Sequence, residues 1–367
     1  MIVVRPGAYR QYPAGHNRFA LVLEQRFRDH VRIESPSRYG AWDTVTAEPG
    51  RTLTDVLRSD VPQDSDVLIV AQDDRLLTAP DSEVGPRRTV AALRAGTGPL
   101  ALDQLGTLLT SLEKTDPEAL GLADAALGDA IATSGGLVLE EALTESVAKM
   151  AFTAPVRSRT GTGAFRPGTV RSAPAGLRGL DLTGDGAGGT DGTGSTAVPV
   201  TGQIAVKGWP VVRAREPRPA ACQELFEKLT GLSHYPLVLT VEDGTVTDMK
   251  ATEPGTATAA TALARLFADD RGHAEVTGLE FGLNPAAPQL PFNSESNAAS
   301  TGRAAVSVHL VLGELPRTAF QLVLDCATSS LTGLGGTAPL AGAGTAPAGQ
   351  QPRRRMNRVT AANCGCH

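Results

Sequence analysis

The feature that most constrains the fold is a short apolar run, Val67-Leu68-Ile69-Val70-Ala71, which follows Pro62-Gln63-Asp64. A continuous apolar run of this length after a turn signal is typical of a strand that is buried on both faces. Such strands occur almost only in parallel sheets whose faces are covered by helices. The sequence therefore predicts an α/β unit built around a central parallel strand.

Strand and helix patterns alternate on both sides of this run. Leu105, Leu108, Leu109 and Leu112 have the spacing of one apolar helix face. Short strands are predicted at residues 2–4 and 31–34, and helices at residues 18–30, 52–58, 87–95, 102–114, 117–133 and 137–150. Because strands and helices alternate, we assign residues 1–154 to an N-terminal α/β domain.

The character of the chain changes after residue 154. Residues 155–200 are rich in glycine and predict a flexible insertion, and their glycines lack the lysine and the helix that a phosphate-binding loop requires. Glu242-Asp243-Gly244 then predicts a hairpin turn. Further strands are predicted at residues 202–206, 236–241, 245–249, 275–285, 304–313 and 320–325, with a helix at 256–268. We assign residues 155–326 to a second domain with a mixed sheet.

The end of the chain has a different composition. Residues 327–355 contain mostly Ala, Gly, Thr, Pro and a run of arginines, and we predict a disordered linker because they offer little apolar area to bury. Residues 356–367 follow and contain Cys364, Cys366 and His367. Two thiols and an imidazole can bind a soft cation, exchange disulfides, or serve as substrates of modifying enzymes. The sequence leaves these alternatives open, together with a tail of no function.

Composition excludes several functional classes. The net charge of −5 argues against nucleic-acid binding. No apolar run is long enough for a membrane span, and the N-terminus does not have the pattern of a signal peptide. Four cysteines in 367 residues do not form a disulfide framework. We therefore expect a cytoplasmic protein that binds neither nucleic acid nor membrane.

The order of motifs between residues 195 and 326 resembles the C-terminal domain of M29 (aminopeptidase T-like) metallopeptidases. The matching pieces are the hairpin Leu239-Thr-Val-Glu-Asp-Gly-Thr-Val246, the strand Leu279-Glu-Phe-Gly-Leu-Asn-Pro285, the strand Val306-Ser-Val-His-Leu-Val-Leu-Gly313 and the final Phe320-Gln-Leu-Val-Leu-Asp325. The resemblance implies an α/β (mixed) fold and a site with two metal ions, which would polarise a peptide carbonyl and activate water.

Carried over residue by residue, the resemblance places Glu280 at the first carboxylate ligand and His309 at the first histidine ligand. The last two ligand positions of the family are a histidine and an aspartate, and they fall on Phe320 and Leu322, which cannot bind metal. Glu295 lies too far upstream to match the second carboxylate. We therefore predict a relic site with no catalytic residues and no cofactor, and a divalent metal such as Zn or Co only if the site is active.

Three functional hypotheses follow. The first is a catalytically degenerate M29-like protein, similar to those of ribosomal-peptide (RiPP) pathways of the crocagin type. Residues 1–326 would then act as a leader that binds peptide, and residues 356–367 would be a core peptide that tailoring enzymes modify and release. The second is an active metal-dependent aminopeptidase that recruits Glu295, His273 or Glu275 as missing ligands. The third is a non-catalytic peptide-binding partner whose tail has no role. The resemblance also implies a homodimer.

Overall fold

The computed structural model describes residues 1–34, 38–96, 101–153, 156–161, 163–183, 198–214, 219–301, 306–336 and 339–342. Helices and strands are mixed along the whole described chain, which confirms the predicted mixed α/β fold class. The predicted core peptide, residues 356–367, lies outside the described residues. Among the described residues, no helix is long and apolar enough to span a membrane.

The strands are numbered in chain order. They are β1 (Ile2–Val4), β2 (Arg18–Glu24), β3 (Val31–Ile33), β4 (Ala41–Ala47), β5 (Asp66–Ala71), β6 (Thr89–Arg94), β7 (Gly136–Glu141), β8 (Ser146–Ala151), β9 (Arg157–Thr160), β10 (Val170–Ala173), β11 (Leu177–Asp181), β12 (Val200–Val206), β13 (Val211–Ala214), β14 (Leu237–Glu242), β15 (Thr245–Ala251), β16 (Val276–Gly282), β17 (Ser307–Leu312), β18 (Phe320–Asp325), β19 (Ser330–Gly333) and β20 (Pro339–Gly342).

The helices are α1 (Leu53–Ser59), α2 (Asp74–Leu77), α3 (Asp81–Val84), α4 (Ala101–Lys114), α5 (Pro117–Thr133), α6 (Pro219–Leu229), α7 (Ala257–Asp269) and α8 (Ser294–Ala299). The helices predicted around α1, α4, α5 and α7 are thus present. The four leucines of the α4 face, Leu105, Leu108, Leu109 and Leu112, are all buried in the main core. The apolar spacing in the sequence therefore identified the face that packs inward.

The predicted central strand is β5, in a five-stranded parallel sheet of order β10-β6-β5-β2-β4. Every residue of β5 is buried, which confirms the interpretation of its apolar run. In chain order the sheet reads 2-1-3-4-5, the doubly wound order in which a crevice opens between the first and third strands. At this edge the Glu24 carboxylate joins the ends of β2 and β5, because it accepts the backbone N–H groups of Gln72 and Asp73.

Three helix predictions are wrong. Residues 18–30 and 87–95 contain β2 and β6, and residues 137–150 form the hairpin of β7 and β8. Phe19–Leu23 is apolar throughout and buried on both faces of the sheet. A continuous apolar run of this kind fits a buried strand as well as a buried helix. In β8 exposed and buried residues alternate, and Gly135 and Gly136 have positive φ where the hairpin begins. The alternation of exposed and buried residues is a feature of strands.

A six-stranded antiparallel sheet of order β13-β18-β17-β16-β11-β9 forms the second layer. Its strands β16, β17 and β18 lie where strands were predicted. Residues 155–200 are not only a flexible insertion, because their described parts supply β9 and β11 to this sheet and β10 to the parallel sheet. The error arose because short strands paired with distant partners leave little local pattern.

The third sheet has seven strands in the order β15-β14-β12-β8-β7-β19-β20. The hairpin of β14 and β15 turns at Asp243 and Gly244, both with positive φ, as the sequence predicted. Strands β19 and β20 belong to the stretch predicted as a disordered linker, so that prediction is wrong for residues 330–333 and 339–342. Pairing with β7 stabilises β19, and no local signal reveals a partner so distant in sequence.

Candidate functional site

Three polar side chains form a row across the centre of the six-stranded sheet. Glu280 of β16 is directly opposite His309 of β17, and His309 is directly opposite Asp325 of β18. Directly opposite residues in neighbouring strands face the same side of a sheet. The structure therefore brings the two predicted site residues, Glu280 and His309, together and adds a third, which we call the Glu280–His309–Asp325 row.

Asp325 was not predicted as a site residue, because the motif order places the last two ligand positions on Phe320 and Leu322. Leu322 is paired with Leu312, and both lie in the main apolar core on the opposite face of the sheet. The residues of β18 on the face of His309 are Gln321, Val323 and Asp325. The sequence does show an aspartate at the end of an apolar strand. Whether this aspartate faces the same side of the sheet as His309 depends on the strand register, which the sequence does not show.

Arg213 neutralises Glu280. Its Nη1 lies 2.6 Å from Oε1 of Glu280 and its Nη2 lies 3.0 Å from Oε2, so both carboxylate oxygens accept hydrogen bonds. Burial opposes ionisation of Glu280, but the Arg213 guanidinium outweighs it and holds the pKa of this carboxyl below its usual value. Bidentate pairs of this kind are among the stronger polar interactions in proteins. Glu280 is therefore an ionised, occupied carboxylate.

His309 is buried without hydrogen bonds. It is 1% exposed, and neither Nδ1 nor Nε2 has a hydrogen-bond partner among the described residues. Its Nδ1 lies 3.9 Å from Oδ1 of Asp325, which is too long for a hydrogen bond. A buried imidazole with two unsatisfied nitrogens is destabilising, so its presence requires an explanation beyond packing.

Asp325 is also buried, and among the described residues only neutral groups hydrogen-bond to it. Ser307 Oγ donates to Oδ1 at 3.1 Å and Gln289 Nε2 donates to Oδ2 at 3.0 Å. Burial raises the pKa of Asp325, and the neighbouring His309 and hydrogen bonds offset only part of this effect. A Cβ at Gly208 would overlap the carboxylate, so the backbone packs directly on it.

Helix α8 covers this face of the sheet. Its Ala298 packs with Val311 and Val323, and the side chain of Asn293 caps the helix by accepting the N–H of Ser296. Glu295, one of the predicted alternative ligands, accepts a hydrogen bond from Arg94 Nε at 2.6 Å. Because Arg94 ends β6, this ion pair links the parallel sheet to the face that carries the row.

The other two alternative ligands lie outside the row. His273 Nε2 accepts the backbone N–H of Phe320 at 3.2 Å, and Glu275 lies 3.7 Å from Arg317. Glu275 pairs with Thr245 near the end of the sheet. Neither residue takes part in the pairing of Glu280, His309 and Asp325, so neither completes a ligand set.

Two adjoining cavities open beside Glu280, with volumes of about 410 Å³ and 190 Å³. They share Arg159, Gly179, Arg213 and Glu280, and together form one cleft. The larger cavity lies between β10 of the parallel sheet and the antiparallel sheet, with Arg171 on its wall. Its volume is in the usual range for a ligand site. We call this space the arginine cleft.

The donors present do not fit two metal ions. Hard cations need several oxygen or nitrogen ligands each, whereas a guanidinium occupies Glu280 and leaves only His309 and Asp325 in the row. Within the described residues, no group of three or more His, Cys, Asp or Glu side chains has a geometry that could hold an ion. Cys364, Cys366 and His367 lie outside the described residues.

Comparisons with known proteins give distant likenesses only. No protein-family model and no curated protein matches the chain. The 2,5-dihydroxypyridine dioxygenase from Pseudomonas putida is 12% identical, with a TM-score of 0.48 over 86% of this chain and 88% of that chain. AmpT from Thermus thermophilus is 11% identical, with a TM-score of 0.42 over 90% of this chain and 94% of that chain. At these scores neither likeness carries an argument about function.

Proposed function

We propose that this chain is a catalytically degenerate M29 peptidase-like protein that binds peptide and does not hydrolyse it. The observation that carries the proposal is the bidentate pair between Arg213 and Glu280. A guanidinium supplies the positive charge that a metal ion would supply beside this carboxylate, but it cannot activate water as a Lewis acid. The cleft beside the pair keeps the volume that a ligand requires.

Metal analysis and a peptidase assay test this proposal. The full-length protein is loaded with Zn²⁺ or Co²⁺, desalted and assayed for bound metal and for release of N-terminal residues from short peptides. We expect substoichiometric metal and no hydrolysis. The matched variant is Glu280→Gln. Stoichiometric metal that this variant loses would reject the proposal and favour the alternative, an active metal-dependent aminopeptidase.

We further propose that the protein acts in a ribosomal-peptide pathway with residues 356–367 as a fused core peptide. The support is the cluster of Cys364, Cys366 and His367 after a segment rich in Ala, Gly and Pro. The partners would be peptide-tailoring enzymes encoded nearby. Intact-mass spectrometry after co-expression with the neighbouring genes is the test. We expect a mass change or cleavage that the Cys364→Ser, Cys366→Ser double variant loses.

An unmodified and uncleaved tail in that experiment would reject the core-peptide proposal alone. If deletion of residues 343–367 then left the pathway output unchanged, the chain would be a peptide-binding partner whose tail has no role. A homodimer stays part of the proposal and is tested by light scattering of the purified protein.

A further inference from the structure

The arginine cleft contains two arginine side chains that have no ion-pair partner among the described residues. In the cavity of about 410 Å³ both lining carboxylates are engaged, because Glu280 pairs with Arg213 and Glu295 pairs with Arg94. Asp181 lines the smaller cavity and accepts hydrogen bonds from Thr183. By contrast, the side chains of Arg159 and Arg171 make no hydrogen bond or ion pair with any described residue. The larger cavity therefore has two guanidiniums on its walls that form no ion pair with a described carboxylate.

These two arginines come from different sheets. Arg171 is half-buried on β10, the edge strand of the parallel sheet, whereas Arg159 is on β9, the edge strand of the antiparallel sheet. Both line the cavity of about 410 Å³. A ligand in this cavity would therefore meet guanidiniums from both sides, the arrangement that proteins use to hold a carboxylate.

The same cavity is bounded by a strand edge. Val170, Arg171 and Ser172 of β10 line it. On its other side β10 pairs with β6, and residues 170–173 make no further backbone hydrogen bond within the described chain. An open edge of this kind is the template to which an extended peptide adds as an extra strand.

From these observations we infer that the arginine cleft binds an extended peptide along the open edge of β10 and holds a carboxylate of that peptide between Arg171 and Arg159. The inference rests on the proposed function, since it names which feature of a bound peptide the protein recognises. The carboxylate can come from the C-terminus of the peptide or from an Asp or Glu side chain. The two sources share the same chemistry, and the test separates them.

The test is a retention experiment on the immobilised full-length protein. The probe is an equimolar mixture of N-acetylated random hexapeptides that lack Asp and Glu, one half as free acids and the other half as C-terminal amides, and retained peptides are counted by mass spectrometry. A carboxylate–guanidinium contact should enrich the free acids about tenfold over the amides. A third pool of amides that end in Asp decides whether a side-chain carboxylate suffices.

Arg171→Ala should abolish the preference for free acids, and Arg159→Ala should reduce it. Arg171→Gln serves as a second variant in case the alanine protein does not fold. The matched control is Arg32→Ala, an exposed strand arginine far from the cleft in sequence, which should keep the full preference.

Two failures have different meanings. Equal retention of all three pools by the wild-type protein, or a preference for carboxylates that survives in both Arg171 variants, overturns this inference and leaves peptide binding intact. Retention of none of the pools overturns this inference and the proposed peptide binding together.

Discussion

Two buried aspartates, Asp66 in the parallel sheet and Asp325 in the antiparallel sheet, differ in how the protein surrounds them. Asp66 accepts hydrogen bonds from the Tyr39 hydroxyl and interacts with His16 Nδ1, each at 2.7 Å, and Arg38 lies 3.9 Å away. Among the described residues, the Asp325 carboxylate accepts hydrogen bonds only from Ser307 and Gln289, and its neighbour His309 makes none.

The difference separates a structural role from a functional one. Around Asp66 the charged and aromatic partners complete a network, and complete networks of this kind stabilise a unique fold. Around Asp325 and His309 the hydrogen-bonding capacity is only partly used, and this lowers the stability of the fold. A present or former ligand site would explain why such groups are buried here. The row Glu280–His309–Asp325 is therefore a part of the core that stability alone does not account for.

The largest expected effect is that of Asp66→Ala. The substitution leaves His16 and Tyr39 without their buried acceptor, so we expect the free energy of unfolding to fall by about 3–5 kcal/mol. Urea denaturation followed by circular dichroism measures it. The control is Asp64→Ala, which removes an exposed pair with Arg87 and should cost less than about 0.5 kcal/mol. Similar losses in both variants would contradict a structural role for Asp66.

A smaller loss is expected for Arg213→Ala, about 1–3 kcal/mol, because it leaves the Glu280 carboxylate buried without its bidentate partner. Part of the Arg213 side chain is exposed, so water compensates for some of the lost contact. The double variant Arg213→Ala, Glu280→Ala should cost less than the sum of the two single variants, since no charge is then left unpaired. Additive losses would show that the pair is not coupled.

The two buried histidines should respond in opposite ways. His273 accepts the backbone N–H of Phe320, so His273→Leu should lower the free energy of unfolding by about 1 kcal/mol. His309→Leu removes two unsatisfied nitrogens and should be neutral or slightly stabilising. Thermal denaturation of both variants measures the contrast. A large loss for His309→Leu would mean that His309 has a stabilising partner.

The smallest effect is a pH dependence that comes from Asp325. Its pKa is higher in the folded than in the unfolded protein, so the folded state binds more protons between the two pKa values. The contribution of Asp325 to stability is therefore lost as the pH rises from the usual carboxyl range through the folded pKa. Unfolding of wild type and Asp325→Asn is compared from pH 4 to pH 7. As the pH rises, the free energy of unfolding of the wild type should fall relative to that of the variant. A difference between the two proteins that stays constant with pH would contradict the raised pKa of Asp325.

Local patterns predicted part of the fold well. The apolar run of β5, the leucine face of α4 and the turn at Asp243-Gly244 were all identified correctly, because burial, helical period and turn chemistry are properties of neighbouring residues. Residues 18–30, 87–95 and 137–150 were assigned to helices in error. There, runs of apolar residues satisfy helix and strand patterns equally, and the distant pairing partner decides.

The site was predicted in part for the same reason. Glu280 and His309 were identified from the motif order, and pairing of β16 with β17 places them opposite each other. Asp325 was missed, because a shift of one residue along β18 moves every side chain to the other face. Arg213 was missed as well, since no sequence pattern shows that β13 pairs with β18 and brings a guanidinium to Glu280.

The sequence by itself therefore determined the mixed α/β class, the central parallel strand and two members of the polar row, since these depend on residue type and local period. Only the tertiary structure decided the register of β16, β17 and β18, the pairing of Arg213 with Glu280 and the cleft between β9 and β10. The physical reason is that strand pairing joins residues far apart in the chain, and its register is set by the burial of whole faces.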